Sequence, residues 1–193
     1  VGYVRVAEFG KNTAEQIKSE IASVQKSGAK GVVIDLRGTA FGDVDTGLAA
    51  ARLFVKSGVL AYRQDRGKEK EAINAANGDG AITVNTVLLT DNGTSNGAEV
   101  FAAALSGNKR AQLIGERTLG RAAHQKLVRL PDGGALMLTH LIYLTPASVA
   151  IHEKGLAPDV AVQQPEIDFG QPQPTADATL DKAIATLTAK AAA

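Results

Sequence analysis

Residues 85–105 read NTVLLTDNGTSNGAEVFAAAL. The first six, Asn85–Thr90, form a short apolar and β-branched run, which suits a strand buried on both faces in a parallel sheet. DNGTSNG, residues 91–97, is built from turn formers. Ala98–Leu105 (AEVFAAAL) then predicts a helix. A buried strand, a glycine-bearing loop and a helix in succession are the grammar of an α/β fold.

The same grammar stands upstream. Lys30–Leu36 (KGVVIDL) is a second continuous apolar run, followed by the turn DLRGTAFGD and a helix expected over Asp43–Ser57, with Leu48, Ala51, Leu53, Phe54 and Val55 on its buried side. Before it, Val1–Phe9 (VGYVRVAEF) alternates at period two, as a half-buried strand does. Asn12 or Thr13 caps a helix in which Ile17, Ile21 and Val24 recur on one face until Gly28 stops it. The polar stretch Arg63–Asp79 reads as an exposed, mobile excursion. Downstream, Gln112–Glu116 is a short strand, and Gln125–Leu130 and Ala135–Tyr143 flank PDGG, a hairpin turn. The expected organisation is an α/β core over residues 1–162 with a strand-rich second half, a Pro/Gln linker over 163–176, and a C-terminal helix within 177–193. No internal repeat is evident.

Composition excludes several partners. The 193 residues carry 21 basic and 20 acidic side chains and 4% aromatics, which gives neither a field for nucleic acid or an anionic membrane nor rings to stack bases. With no cysteine, disulfides, thiolate metal sites and a thiol nucleophile are all absent. No apolar stretch is long enough for a membrane helix. The sequence starts at Val1, already inside a strand, so a longer polypeptide is expected.

In α/β sheets ligands sit beyond the carboxyl ends of the strands, where free backbone amides point outwards. Two loops answer that description, Arg37–Asp43 and Asp91–Gly97. Their glycines Gly42 and Gly97 serve either as tight-turn residues or as close-approach amides for an oxyanion hole.

Taken together, these stretches resemble the peptidase domain of the carboxy-terminal processing (tail-specific) serine peptidases. VGYVRV is similar to the family's I-G-Y-I-R-I strand, and DLRGTAFGD in part to D-L-R-x-N-x-G-G. Glu99 matches the final residue of S-A-S-A-S-E. GERTLGRAAHQ, Gly115–Gln125, follows G-E-x-T-F-G-K-x-x-x-Q, and YLTPASVAIHEKGLAPD, Tyr143–Asp159, follows Y-x-T-P-S-G-x-x-I-x-x-x-G-I-x-P-D. The resemblance implies a ClpP/crotonase-like core with a mixed sheet, a serine–lysine dyad acting on peptides near a carboxyl terminus, a PDZ domain upstream in the full chain, and export to a periplasm. Cofactors are not implied.

Counting back from Glu99, the nucleophile's position holds Asn96; the lysine's position, after Leu119 and Gly120, holds Arg121. Gln125 falls where the family has its helper glutamine. An amide does not attack a carbonyl as an activated hydroxyl does, and a guanidinium keeps its proton at physiological pH. Phe41 replaces the first glycine of the family's pair, so its ring is expected to shield or misplace an oxyanion-hole amide; Gly42 and Gly97 remain. A displaced nucleophile is the alternative: Ser95 with His124 as base, or, more remotely, Thr94. His140 and His152 have no metal spacing and read as surface or packing residues. Asp35 and Arg37 read as a structural ion pair, Lys68–Glu71 as a solvated face, and PDGG as a turn.

The expectation is therefore a peptidase-like domain with a substituted dyad, a pseudopeptidase holding an extended peptide or a protein C-terminus. The alternative is an active serine endopeptidase that uses Ser95 or requires regions outside this sequence. An unrelated crotonase-like acyl-group enzyme is a third class, and no cofactor motif supports it.

Overall fold

A computed structural model describes residues 1–163 and 176–191. In chain order its elements are β1 (Gly2–Arg5), α1 (Thr13–Lys26), β2 (Gly31–Asp35), α2 (Val44–Arg52), β3 (Val59–Asp65), β4 (Glu71–Asn74), β5 (Asn85–Thr90), α3 (Gly97–Gly107), β6 (Ala111–Gly115), β7 (Ala123–Arg129), β8 (Ala135–Leu144), β9 (Val160–Ala161) and α4 (Ala178–Ala191). Five strands form a parallel sheet in the order β1-β2-β5-β6-β9, and four form an antiparallel sheet in the order β4-β3-β8-β7.

The continuous apolar runs are explained by what covers the parallel sheet. Successive side chains of a strand point to opposite faces. On β2, Val32 and Ile34 enter the large core built with α1, α2 and α3, while Val33 joins Val87, Leu89 and Ile114 beneath Ala183 and Leu187 of α4. Both faces are thus dry. Leu60, Ala61 and Tyr143 of the antiparallel sheet share the large core, so the two sheets are packed around one apolar interior. Among the described residues, no helix is long and apolar enough to cross a membrane.

Three expectations change. The stretch 63–79 is not an open excursion: Arg63 pairs with Glu71 and Tyr62 with Ala72 in the β3–β4 hairpin, and Ile73 packs on the core. Ladder hydrogen bonds are made by the backbone, so outward polar side chains do not prevent a strand. Helix α2 stops at Arg52 rather than Ser57, because the Arg52 and Leu53 carbonyls accept from Gly80 and Ile82 instead, and the chain tightens through Leu53→Ala50 and Phe54→Ala51 bonds. The first strand leaves its ladder after Arg5, and Phe9 pairs instead through an isolated bridge with Gly42 in the loop after β2. All but the end residues of the expected 163–176 linker lie outside the described residues.

Candidate functional site

The two glycine-bearing loops meet at the carboxyl edge of β2 and β5. Asp91 holds them together: its Oδ1 accepts from Gly38 N at 2.8 Å and Gly93 N at 2.9 Å. Thr94 Oγ1 donates to the Leu36 carbonyl at 2.8 Å, and Ser95 N donates to the Thr39 carbonyl at 3.0 Å. The Ala40 carbonyl accepts from both Ser95 Oγ (3.1 Å) and Asn96 Nδ2 (3.0 Å). At Gly97 a Cβ would collide with the Asp43 carbonyl, so only glycine lets the start of α3 lie against the start of α2. Gly42, at φ 120, lies equally close to the Phe9 carbonyl.

Asn96 caps α3 with φ 53 and ψ −120, a strained conformation for a residue with a Cβ. What ties it to the second half of the site is Glu99, fully buried one helical turn on. Its Oε1 accepts from Thr118 Oγ1 (2.5 Å) and Gly120 N (2.6 Å); its Oε2 accepts from Arg121 N (2.7 Å) and Asn96 N (3.2 Å). Four donors fill the capacity of one carboxylate. Burial pushes the Glu99 carboxyl above its ordinary range, and the bonds from Thr118, Arg121, Gly120 and Asn96 pull against that shift. In the sequence Glu99 stands only as the match to the final residue of the family motif, and its structural role emerges from the fold. The signal was there, since an acid between Ala98 and Val100 in an otherwise apolar helix must find donors or stay neutral.

The clamp leaves a cleft of about 320 Å³ lined by Asn96, Arg121, Ala123, Gln125 and His152. Asn96, Arg121 and Gln125 are therefore brought together in one cleft. The Arg121 side chain is exposed and has no ion-pair partner among the described residues. Gln125 Nε2 lies 3.4 Å from Thr139 Oγ1. His152 is on the cleft wall rather than merely at the surface; its Nδ1 is buried without a hydrogen-bond partner among the described residues, and its Nε2 is 3.9 Å from Glu153. A larger cavity, about 450 Å³, lies at the opposite edge of the sheet around Asn85, Lys109 and Asp159. It is at the strands' amino ends, away from where α/β ligands sit.

The displaced-nucleophile residues are not brought together. Ser95 is 1% exposed with its hydroxyl on Ala40, Thr94 is fully buried, and the His124 ring packs 5.5 Å from that of Tyr143. No hydrogen bond joins Ser95 to His124 among the described residues. Phe41 is 75% exposed, and its carbonyl accepts from Phe9 N at 3.0 Å. His140 is far off, 3.6 Å from Asp65 on the antiparallel sheet. No group of His, Asp and Glu among the described residues could hold a metal ion. Asp35 and Arg37 do form an ion pair, at 2.7 Å, and Arg37 also reaches Asp177 at 2.8 Å, tying α4 to the loop after β2.

Comparison with known proteins agrees with this architecture. The sequence profile "Peptidase family S41" matches residues 1–162. A "Carboxyl-terminal-processing protease" of Synechocystis sp. is 34% identical over 188 residues, 97% of this chain and 44% of that protein. "Carboxy-terminal processing protease CtpA" of Bacillus subtilis is 31% identical over 166 residues, 86% of this chain and 36% of that protein. The chain thus spans less than half the length of these relatives. Among solved structures, "Photosystem II D1 C-terminal processing protease" superposes with a TM-score of 0.74 at 34% identity, covering 83% of this chain and 42% of that one. A putative peptidase from Parabacteroides merdae, at 19% identity and a TM-score of 0.77 over 97% of this chain and 61% of its own, shares the fold.

Proposed function

The chain belongs to peptidase family S41, and from that premise we propose that it is a member whose dyad positions are occupied by Asn96 and Arg121, leaving a cleft that holds peptide without cutting it. The observation that carries this reading is the shared clamp: Asn96 and Arg121 line one cleft and give their backbone amides to the same Glu99 oxygen. Neither does the work of a serine or a lysine. The Asn96 amide is a poor nucleophile, and the Arg121 guanidinium holds its proton far above neutral pH, so no base is generated. Among the described residues, the cleft wall includes neither a hydroxyl nor a lysine.

The residues that remain suit binding. An exposed guanidinium accepts a carboxylate in bidentate fashion, and the carboxyl terminus of a peptide supplies one. Strand β7 begins at Ala123 on the cleft wall and is an edge of the antiparallel sheet, so an extended peptide can add to it by backbone pairing. The names of the relatives, which process carboxyl termini, favour the same ligand. A PDZ domain upstream and an exported location belong to this reading.

Incubation with an unstructured substrate such as casein tests it. The parent protein is expected to leave casein intact, and the Asn96→Ser/Arg121→Lys variant is expected to cleave it. Cleavage by the parent that disappears in Ser95→Ala would establish the active-enzyme alternative and overturn the proposal.

A further inference from the structure

The sequence holds three Asn–Gly pairs, at 77–78, 92–93 and 96–97. Asn–Gly is the pair most open to internal attack, because glycine has no side chain to shield its backbone nitrogen. The third pair differs from the others in its backbone. We propose that Asn96 is a self-modification site: the Gly97 nitrogen attacks the Asn96 side-chain carbonyl carbon, and the chain passes through a cyclic imide to a carboxylate at position 96.

The atoms balance without a further reagent. A bond forms between Gly97 N and Asn96 Cγ, the Cγ–Nδ2 bond breaks, and Nδ2 leaves as ammonia with the proton from the Gly97 amide. Water then opens either carbonyl of the ring, leaving aspartate or isoaspartate. Nothing is oxidised or reduced.

The geometry favours the first step at this residue. Closing the five-membered ring requires the following nitrogen to lie on the same side of Cα as Cβ. In helices and strands ψ turns that nitrogen away from Cβ. At Asn96, ψ −120 turns it onto Cβ, since the substituents of Cα are tetrahedral. Asn96 also holds φ at 53, a strained value that the surrounding loop imposes. The Gly97 amide opens α3, where N–H groups lack intrahelical acceptors. By contrast the Gly93 amide donates to Asp91 Oδ1 at 2.9 Å. The bond from Asn96 Nδ2 to the Ala40 carbonyl keeps the reacting side chain at the loop junction instead of sweeping solvent. A backbone held at this ψ removes one of the rotations that ring closure must otherwise search.

The product matters because Asn96 and Arg121 line the same cleft. Modification sets an anion facing an exposed guanidinium, in a cleft that before it carried positive charge. This inference stands whether or not the cleft holds peptide.

Ageing the purified chain in mildly alkaline buffer, with peptide mass mapping and isoaspartyl methyltransferase labelling, provides the test. In the folded protein Asn96 is expected to convert about tenfold faster than Asn92, and the two rates are expected to converge in urea, where only local sequence acts. The Asn96→Gln variant, which would need a larger ring, loses the signal at that peptide alone. An Asn96 peptide that stays unmodified while Asn77 and Asn92 convert, or one that converts faster in urea than in the folded chain, overturns the proposal.

Discussion

Replacing the buried Glu99 by glutamine swaps one carboxylate oxygen for an NH2 while four donors still point at the group. Whichever way the amide turns, at least one fixed backbone donor faces a donor: Gly120 N on one side, where the Thr118 hydroxyl can rotate to accept, or both Arg121 N and Asn96 N on the other. Leaving buried donors unsatisfied costs about 1–3 kcal/mol each, so Glu99→Gln is expected to lose about 3 kcal/mol of stability, read as a lowered urea midpoint with unchanged slope. The same variant loosens Asn96 from Arg121, and in the Asn96→Ser/Arg121→Lys background it is expected to abolish the gained proteolysis even where the protein remains folded. An unchanged midpoint would show that the carboxylate is not the clamp. At this scale Asn96, Arg121 and Gln125 could be grouped only through the family resemblance, because a separation of residues between a loop and a strand does not by itself place side chains on one wall. The role of His152 was not legible, since it reaches the cleft through a turn whose path no periodicity encodes.

Among the elements, α4 shows how a charge network and an apolar face act together. Burial works to raise the Asp35 carboxyl, but the bonds from Arg37 and Tyr3 outweigh it and hold the group below the usual carboxylate range; Asp177 is held low by Arg37 as well. Arg37 is raised in turn, chiefly by Asp35, so it stays charged throughout. Two carboxyls with depressed folded values add stability that is complete above their unfolded value, near ~4, and is lost as pH falls through the lower folded values. Arg37→Met is therefore expected to destabilise the protein by up to about 3 kcal/mol at neutral pH, by leaving the buried Asp35 with Arg5, at 3.9 Å, as its one remaining cation among the described residues, beside the Tyr3 hydroxyl. Its deficit against the parent should shrink as the pH drops below 4 (about the unfolded carboxylate value), as thermal melts across that range would show. A deficit independent of pH would mean that Arg37 contributes packing alone. The Asp35–Arg37 pair was readable from DLR, but the Asp177 partner lies 140 residues on, and no local pattern announces so distant a contact. The β3–β4 hairpin was missed for a related reason: a strand whose neighbours supply its pairing does not need an apolar alternation of its own.

For the whole molecule, the apolar runs of β2 and β5 announced a sheet covered on both sides, and three helices on one face do not complete it. The second cover is α4. Val33, Val87, Leu89 and Ile114 are each fully buried, and the side chains that meet them include Ala183 and Leu187. Burial of one such side chain contributes about 1.5–3 kcal/mol, and the stability of a domain is about 5–15 kcal/mol. Uncovering a patch of four thus removes an amount comparable to the total. A chain ended after Val162 retains the family-matched region, residues 1–162, yet it exposes this patch and leaves Arg37 without Asp177. It is expected to lose cooperative unfolding, to bind a hydrophobic dye and to aggregate, and a peptide spanning residues 176–193 added in trans is expected to restore part of the lost stability in proportion to its concentration. Should the shortened chain instead melt at the parent's temperature with no dye binding, α4 would be an appendage to a self-sufficient core, and the dry second face of the sheet would need another explanation.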